Sequence, residues 1–156
     1  MPGILIVDDN PSIRYLLRVC VESKTGFAVC GEAGHGVEAI EKARELHPDL
    51  IILDLSMPIM NGAEAAVVLK RTMPQVKIIL FTMHADNVGK ALGAAVGIDL
   101  TLSKSDGLLK LDEHVKALLS QAPLAVQAED LTKSGAGFRD ERRAAGVVAK
   151  LQNRDL

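Results

Sequence analysis

One short run constrains the fold of this chain more than any other. Residues 50–54 read LIILD, four apolar residues followed by an acid. Four consecutive apolar residues are typical of a strand buried on both faces, as in a parallel sheet covered by helices. Open α/β sheets bind ligands outside the carboxyl ends of their strands, so Asp54 is a candidate for chemistry. Residues 4–9 (ILIVDD) repeat the pattern and bring Asp8 and Asp9 to the same edge of the predicted sheet.

Strand-like runs recur along the chain, and helical patterns fill the gaps between them. The runs begin near residues 4, 27, 50, 76 and 98. This alternation is typical of βα units, and five such units predict an α/β fold with a doubly wound, five-stranded parallel sheet.

Two of the helices show an apolar stripe that indicates how they pack. Asn10 can cap the first helix and Pro11 fits its first turn. The stripe of that helix, which we expect to pack on the sheet, consists of Ile13, Leu16, Leu17 and Cys20. The stripe of the second helix consists of Val37, Ile40 and Ala43.

The length of 156 residues suits one domain with a short appendage. We predict that residues 1–121 form this domain and that residues 122–156 are a linker and a short tail. The tail contains a helical stripe of Ala144, Val147, Val148 and Leu151. Isolated helices this short are marginal in water, so we expect a helix there only in a suitable context.

Charge and hydropathy limit the partners of the chain. The formal net charge is −2, whereas nucleic-acid binding usually requires a basic excess, so we expect no direct nucleic-acid partner. No apolar run approaches the length of a bilayer span. The first residues lack a signal-type apolar segment. These patterns predict a soluble protein of the cytoplasm without a membrane partner.

Five residues whose side chains can bind a metal ion, contact a phosphate or accept a phosphoryl group lie at the predicted strand ends. They are Asp8, Asp9, Asp54, Thr82 and Lys104. Clustered carboxylates repel one another unless a cation lies between them. Oxygen ligands favour a hard ion such as Mg²⁺, which commonly binds one or two carboxylates together with a phosphate oxygen. Lys104 and Thr82 can contact phosphate oxygens. Asp54 is then the candidate nucleophile, because Asp carboxylates form aspartyl-phosphate intermediates.

These residues closely resemble the receiver domain of bacterial two-component response regulators. The matching positions are Asp8 and Asp9 after strand one, Asp54 with Met57, Pro58 and Gly62 after strand three, Thr82 after strand four, and Lys104 after strand five. The resemblance covers residues 3–120 and implies the flavodoxin-like (βα)5 fold.

The resemblance also implies a role for each site residue. Asp54 would accept phosphate from a histidine kinase or a phosphotransfer protein. Asp9, Asp54 and the backbone carbonyl of Ser56 would ligate Mg²⁺, and Asp8 would support the metal through water. Thr82 and Lys104 would detect the phosphoryl group and move strands four and five.

What the domain does with the phosphate is a further expectation from the resemblance. The surface formed by helix four, strand five and helix five would change and bind a protein target or a second copy. The chain would be no enzyme beyond self-phosphorylation from small donors and slow autodephosphorylation. Only about 35 residues follow the predicted domain, so we expect a stand-alone receiver without a DNA-binding output domain.

Two alternatives stay open at this point. Receivers often carry an aromatic residue where this chain has Thr101, a proline where it has Ser105, and a small residue where it has Met83. These departures suggest a receiver-like interaction module that works without phosphorylation. A phosphatase of the haloacid dehalogenase type also uses an aspartyl nucleophile, but it needs a second Asp at the position of Ser56.

Overall fold

A computed structural model describes residues 1–83 and 87–120 of the chain. The predicted linker and tail, residues 122–156, lie outside the described residues. The strands are β1 (Gly3–Val7), β2 (Ala28–Ala33), β3 (Leu50–Leu53), β4 (Lys77–Thr82) and β5 (Leu100–Ser103). The helices are α1 (Pro11–Thr25), α2 (Gly36–Leu46), α3 (Gly62–Thr72), α4 (Asn87–Val96) and α5 (Leu111–Ser120), and a 3-10 turn (Gly107–Leu109) precedes α5.

The strands form one parallel sheet in the order β2-β1-β3-β4-β5. This is the flavodoxin-like order, and it confirms the predicted doubly wound fold. The order places β3 at the centre of the sheet, between β1 and β4, and all four of its residues are buried.

Alternate residues of the central strands enter two separate cores, one on each face of the sheet. On one face Ile51 and Leu53 pack in a cluster with residues of α2 and α3. On the other face Leu50 and Ile52 pack in a cluster with residues of α1 and α5. Because β3 is covered on both faces, each of its positions is apolar. Each such side chain contributes about 1.5–3 kcal/mol of stability through burial.

The start of α1 was predicted correctly, but one residue of its packing stripe was not. The side chain of Asn10 caps the helix by accepting hydrogen bonds from the backbone N–H groups of Ser12 and Ile13. The buried residues of α1 are Leu17, Cys20 and Val21, whereas Leu16 is 49% exposed. A helix turns 100° per residue, so Leu16 lies roughly 90° from the centre of the buried stripe.

The predicted stripe of α2 contains a similar error. Its buried residues are Gly36, Ala39, Ile40 and Ala43, whereas Val37 is partly exposed. Three of these four buried residues are small and Ile40 is large, whereas Val37 lies at the margin of the packed face. In both helices the periodicity was right, and the packing of the neighbouring elements decided which apolar residues were covered.

Within the two described ranges, no helix combines the length and the apolar character that crossing a bilayer requires.

Candidate functional site

The acidic site lies at the carboxyl edge of the sheet, where β1 and β3 end side by side. Val7 pairs with Leu53, and the backbone N–H of Asp54 donates to the carbonyl of Val7 over 2.9 Å. The residues that follow, Asp8 and Asp54, are therefore neighbours. One carboxylate oxygen from each of Asp8, Asp9 and Asp54 lies within 4.8 Å of the others.

The acids differ in their exposure to solvent. The side chains of Asp8 and Asp54 are almost fully buried, at 1% and 4% exposure, whereas Asp9 is exposed. Two negative charges are thus held in a site of reduced dielectric, where repulsion is stronger than in water. Asp9 lies at the solvent side of this pair.

Lys104 supplies the positive charge of the site. Its Nζ lies 2.6 Å from Oδ2 of Asp8 and 3.2 Å from Oδ2 of Asp54. The strand pairing brings it there, since the backbone N–H of Lys104 donates to the carbonyl of Thr82 over 2.9 Å. Thr82 is fully buried at the end of β4, two residues beyond Leu80, which pairs with Leu53 of β3.

The surroundings shift the pKa values of two groups in the site. Burial, with the negative charge of Asp8 adding to it, raises the pKa of Asp54 above its ordinary value, although Lys104 acts in the opposite direction. Burial by itself would lower the pKa of Lys104. Its close contact with Asp8 and the charge of Asp54 outweigh burial and raise that pKa instead. Lys104 is therefore a cation at neutral pH, whereas ionised Asp54 is held at a cost in stability.

This cost predicts how the stability of the metal-free protein depends on pH. The folded-state pKa of Asp54 lies above the unfolded value, so the folded state binds the proton more tightly and the ionisation of Asp54 destabilises the fold. We expect Asp54→Asn to be more stable than the wild type, with a difference that grows from pH 4 to pH 7. The measurement is urea unfolding in EDTA at several pH values. A difference that is constant across this range would contradict the prediction.

One oxygen of the site is suited to a further ligand. Oδ1 of Asp8 accepts a hydrogen bond from the backbone N–H of Asn10 over 2.9 Å. Oδ2 of Asp8 is buried and lies 2.6 Å from Nζ of Lys104, a contact that leaves a second lone pair of this oxygen for another ligand. A buried carboxylate oxygen with free acceptor capacity, next to two further carboxylates, fits the oxygen ligands that Mg²⁺ prefers.

Sequence reasoning missed one side chain that holds the site together. Nη1 of Arg14 donates to the backbone carbonyl of Asp8 over 2.6 Å and thereby fixes the turn between β1 and α1. Arg14 lies six residues after Asp8 on the first turns of α1, and its position in that helix distinguishes it little from an exposed arginine. The α1 periodicity could have shown only that it lies at the margin of the packed stripe.

The loop between β3 and α3 folds back onto Asp54. The backbone N–H of Gly62 donates to the carbonyl of Leu55 over 2.8 Å and closes the loop at its base. A Cβ at position 62 would lie 2.8 Å from the carbonyl carbon of Asp54 and closer still to its oxygen. Ser56 is exposed in the first part of this loop.

The structure thus brings together Asp8, Asp9, Asp54 and Lys104, and it places Thr82 and Ser56 on the adjoining strand end and loop. Their individual roles stay predictions. Residues 4–116 match the family model described as the response regulator receiver domain. The chain belongs to this family. Receivers are the phosphorylated domains of two-component systems, work with histidine kinases and phosphotransfer partners, and generally bind Mg²⁺ at an acidic site.

Similar proteins agree with this assignment. The receiver is 35% identical over 115 residues to the response regulator protein VraR of Staphylococcus aureus, an alignment that covers 72% of this chain and 54% of VraR. The chain therefore spans about half the length of the curated relatives it matches.

Solved structures resemble the receiver over most of its length. A two-component response regulator of the LuxR family from Aurantimonas sp. SI85-9A1 superposes with a TM-score of 0.72 and 29% identity, covering 84% of this chain and 98% of that one. The chemotaxis protein CheY4 of Vibrio cholerae gives a TM-score of 0.69 and 29% identity, covering 76% and 98%.

Proposed function

We propose that Asp54 of this receiver accepts a phosphoryl group from a phosphohistidine of a histidine kinase or phosphotransfer protein, in a reaction that depends on Mg²⁺. The observation that carries the proposal is the buried Asp54 carboxylate beside a second buried carboxylate, Asp8, with the ammonium of Lys104 in contact with both. Phosphoryl transfer depends mainly on positioning and on charge neutralisation. This site supplies both.

The residues that would hold the metal are Asp9, Asp54 and the backbone carbonyl of Ser56, with Asp8 supporting it through water. When bound, Mg²⁺ would neutralise charge on the carboxylates and on the transferred phosphoryl group. The free acceptor capacity of Asp8 and the exposed position of Asp9 at the solvent side support this arrangement.

The protein residues carry the remaining chemistry. A carboxylate oxygen of Asp54 forms the new bond to phosphorus as the bond from phosphorus to the donor nitrogen breaks. Lys104 contacts a phosphoryl oxygen with its ammonium, and Thr82 donates its hydroxyl to another. Phosphorylation adds negative charge beside Lys104, which already contacts Asp8 and Asp54. Lys104 and Thr82 therefore couple the modification to β5 and β4.

The output is a change in the surface formed by α4, β5 and α5, which binds a protein target or a second copy of the receiver. The side chain of Thr101 on β5 points towards α4, since its Oγ1 would lie 2.8 Å from a Cβ at Gly93. We propose a signalling role in the cytoplasm without turnover of a substrate. The stand-alone output and the absence of nucleic-acid binding stay predictions.

Acetyl phosphate with Mg²⁺ tests the proposed function directly. We expect the intact mass of the wild-type chain to increase by one phosphate, and EDTA to prevent the increase. No added mass at millimolar acetyl phosphate and Mg²⁺ would overturn the proposal.

A phosphorylation-independent interaction module is the second candidate function. It is favoured by Met83, which is 65% exposed directly after Thr82 and stands where receivers often have a small residue. Once a protein target is identified, equal affinity of that target for wild type and Asp54→Asn, with and without acetyl phosphate, would favour this alternative.

Metal affinity provides an independent prediction for Asp9. We expect Asp9→Asn to weaken Mg²⁺ binding by about tenfold or more, because it removes one of the few charged ligands that the hard cation has. Backbone NMR shifts during a Mg²⁺ titration measure the affinity. Asp112→Asn, which removes a carboxylate of the same kind from the first turn of α5, is the matched control. Equal losses in the two variants would contradict a metal-binding role for Asp9.

A further inference from the structure

The loop that follows Asp54 contains one residue in an unfavourable conformation. Ile59 has a φ of 70°, and it is one of two described residues other than glycine with a positive φ. The backbone N–H of Met60 donates to the carbonyl of Pro58 over 2.7 Å, so Ile59 is the central residue of a γ-turn. A γ-turn with positive φ is rare and strained. A β-branched residue is poorly suited to it, because its Cβ crowds the backbone.

The side chain of Ile59 contributes little burial to the fold that could offset this strain. It is 79% exposed, whereas the neighbouring Met57 and Met60 pack against the core. The turn is held in place on both sides: the carbonyl of Met60 accepts from the backbone N–H of Gly36 at the start of α2, and Gly62 closes the loop onto Leu55. Glycine or asparagine at this position would relieve the strain and remove an exposed apolar group.

Ile59 lies close enough to Asp54 to be reached by a protein that docks at the acidic site. It lies three residues from Gly62, so its Cα is at most about 11 Å from that of Gly62, where a Cβ would collide with the backbone carbonyl of Asp54. A protein partner of standard size covers about 800 Å² of a surface, a disc with a radius of about 16 Å. A protein that brings a reactive group to Asp54 through an interface of this size centred on the acidic site therefore reaches the Ile59 loop.

We propose that Ile59 is an apolar docking residue for the phosphohistidine protein that donates to Asp54, and that the strained γ-turn presents it to this partner. The inference rests on the proposed function. The donor would have an apolar pocket beside its phosphorylated histidine. Ile59 does not touch the reacting atoms, so it affects donors that dock as proteins and leaves small donors unaffected.

The test compares a small donor with a protein donor. The variants are Ile59→Gly, which removes the side chain and the strain, and Ile59→Leu, which keeps an apolar side chain. Leu46→Ala is the control, because Leu46 is a partly exposed apolar residue at the end of α2, at the opposite edge of the sheet. The protein donor is taken from a panel of autophosphorylated histidine kinases as the one that phosphorylates the wild type fastest, and acetyl phosphate is the small donor.

We expect Ile59→Gly to lower kcat/KM for transfer from the kinase about 10- to 100-fold, as for an apolar residue that anchors an interface. Its rate with acetyl phosphate should stay within about twofold of the wild type, and Ile59→Leu and Leu46→Ala should stay within about threefold with both donors. The urea midpoint of Ile59→Gly should rise, because the variant relieves the strained turn.

The possible failures are distinguishable. A wild type that acetyl phosphate does not phosphorylate overturns the proposed function itself. If acetyl phosphate works but transfer from the kinase is unchanged in Ile59→Gly, the docking role is wrong. An equal loss with both donors would mean that Ile59 shapes the acidic site instead. Loss of self-association in sedimentation with unchanged transfer would assign the loop to a second copy and also overturn the proposal.

Discussion

Asp54→Asn will abolish phosphorylation by acetyl phosphate and Mg²⁺, with a loss of rate of at least about 10³-fold. The amide has nearly the same shape as the carboxylate, but its oxygen is a poor nucleophile and carries no full negative charge. The Asp54 carboxylate is buried in the acidic cluster with an oxygen 3.2 Å from Nζ of Lys104, so the substitution removes the proposed nucleophile from the site. Intact mass spectrometry over time measures the loss.

The control variant must remove a carboxylate that is accessible to acetyl phosphate but lies outside the acidic cluster. Asp106 is exposed after β5 and meets this requirement. Asp106→Asn should gain one phosphate at the wild-type rate. If Asp54→Asn still gained a stoichiometric phosphate, the site of modification would be another residue and the assignment of the nucleophile would be wrong.

Gly62→Ala will destabilise the fold by about 3 kcal/mol or more. The added methyl group would collide with the backbone carbonyl of Asp54 and lie 2.9 Å from Cα of Leu55. Backbone atoms at the end of the central strand cannot turn aside as a flexible side chain can, so β3 or the start of α3 must shift. The same shift displaces Asp54, and phosphorylation by acetyl phosphate should slow together with the loss of stability.

Urea unfolding measures this effect, and Gly34→Ala is its matched control. A Cβ at position 34 would lie 3.8 Å from Nη1 of Arg14 and 3.9 Å from Oε2 of Glu38, which are ordinary van der Waals distances. We expect this control to change the free energy of unfolding by less than about 1 kcal/mol. Equal free energies of unfolding for Gly62→Ala and Gly34→Ala would show that the loop accommodates a side chain and would contradict the prediction.

The acidic cluster was predictable from the sequence because the ends of two strands are marked in it. The runs at residues 4–7 and 50–53 are apolar at every position, and each is followed at once by acid. Parallel strands share a common carboxyl edge, so adjacency in the sheet follows from the pattern alone. Lys104 was likewise placed by the end of its strand, although β5 is short and only partly buried.

The packing faces of the helices were predictable only in part. Periodicity places Leu16 and Leu17 on adjoining parts of α1, and both are apolar. Which of the two is buried depends on how the helix is rotated against the sheet and α5. That rotation is a property of the assembled core and leaves no signal in the helix sequence itself.

The sequence by itself determined the βα order, the central buried strand and the meeting of Asp8, Asp9 and Asp54, because these follow from local patterns and from the geometry that all parallel sheets share. Tertiary structure alone decided that Lys104 bridges Asp8 and Asp54, that Arg14 holds the carbonyl of Asp8, and that Ile59 is presented from a strained turn. The Lys104 bridge joins segments far apart in the chain and has no signature in any one of them. The Arg14 contact and the Ile59 turn are local, but they depend on side-chain and backbone angles that the residue pattern does not specify.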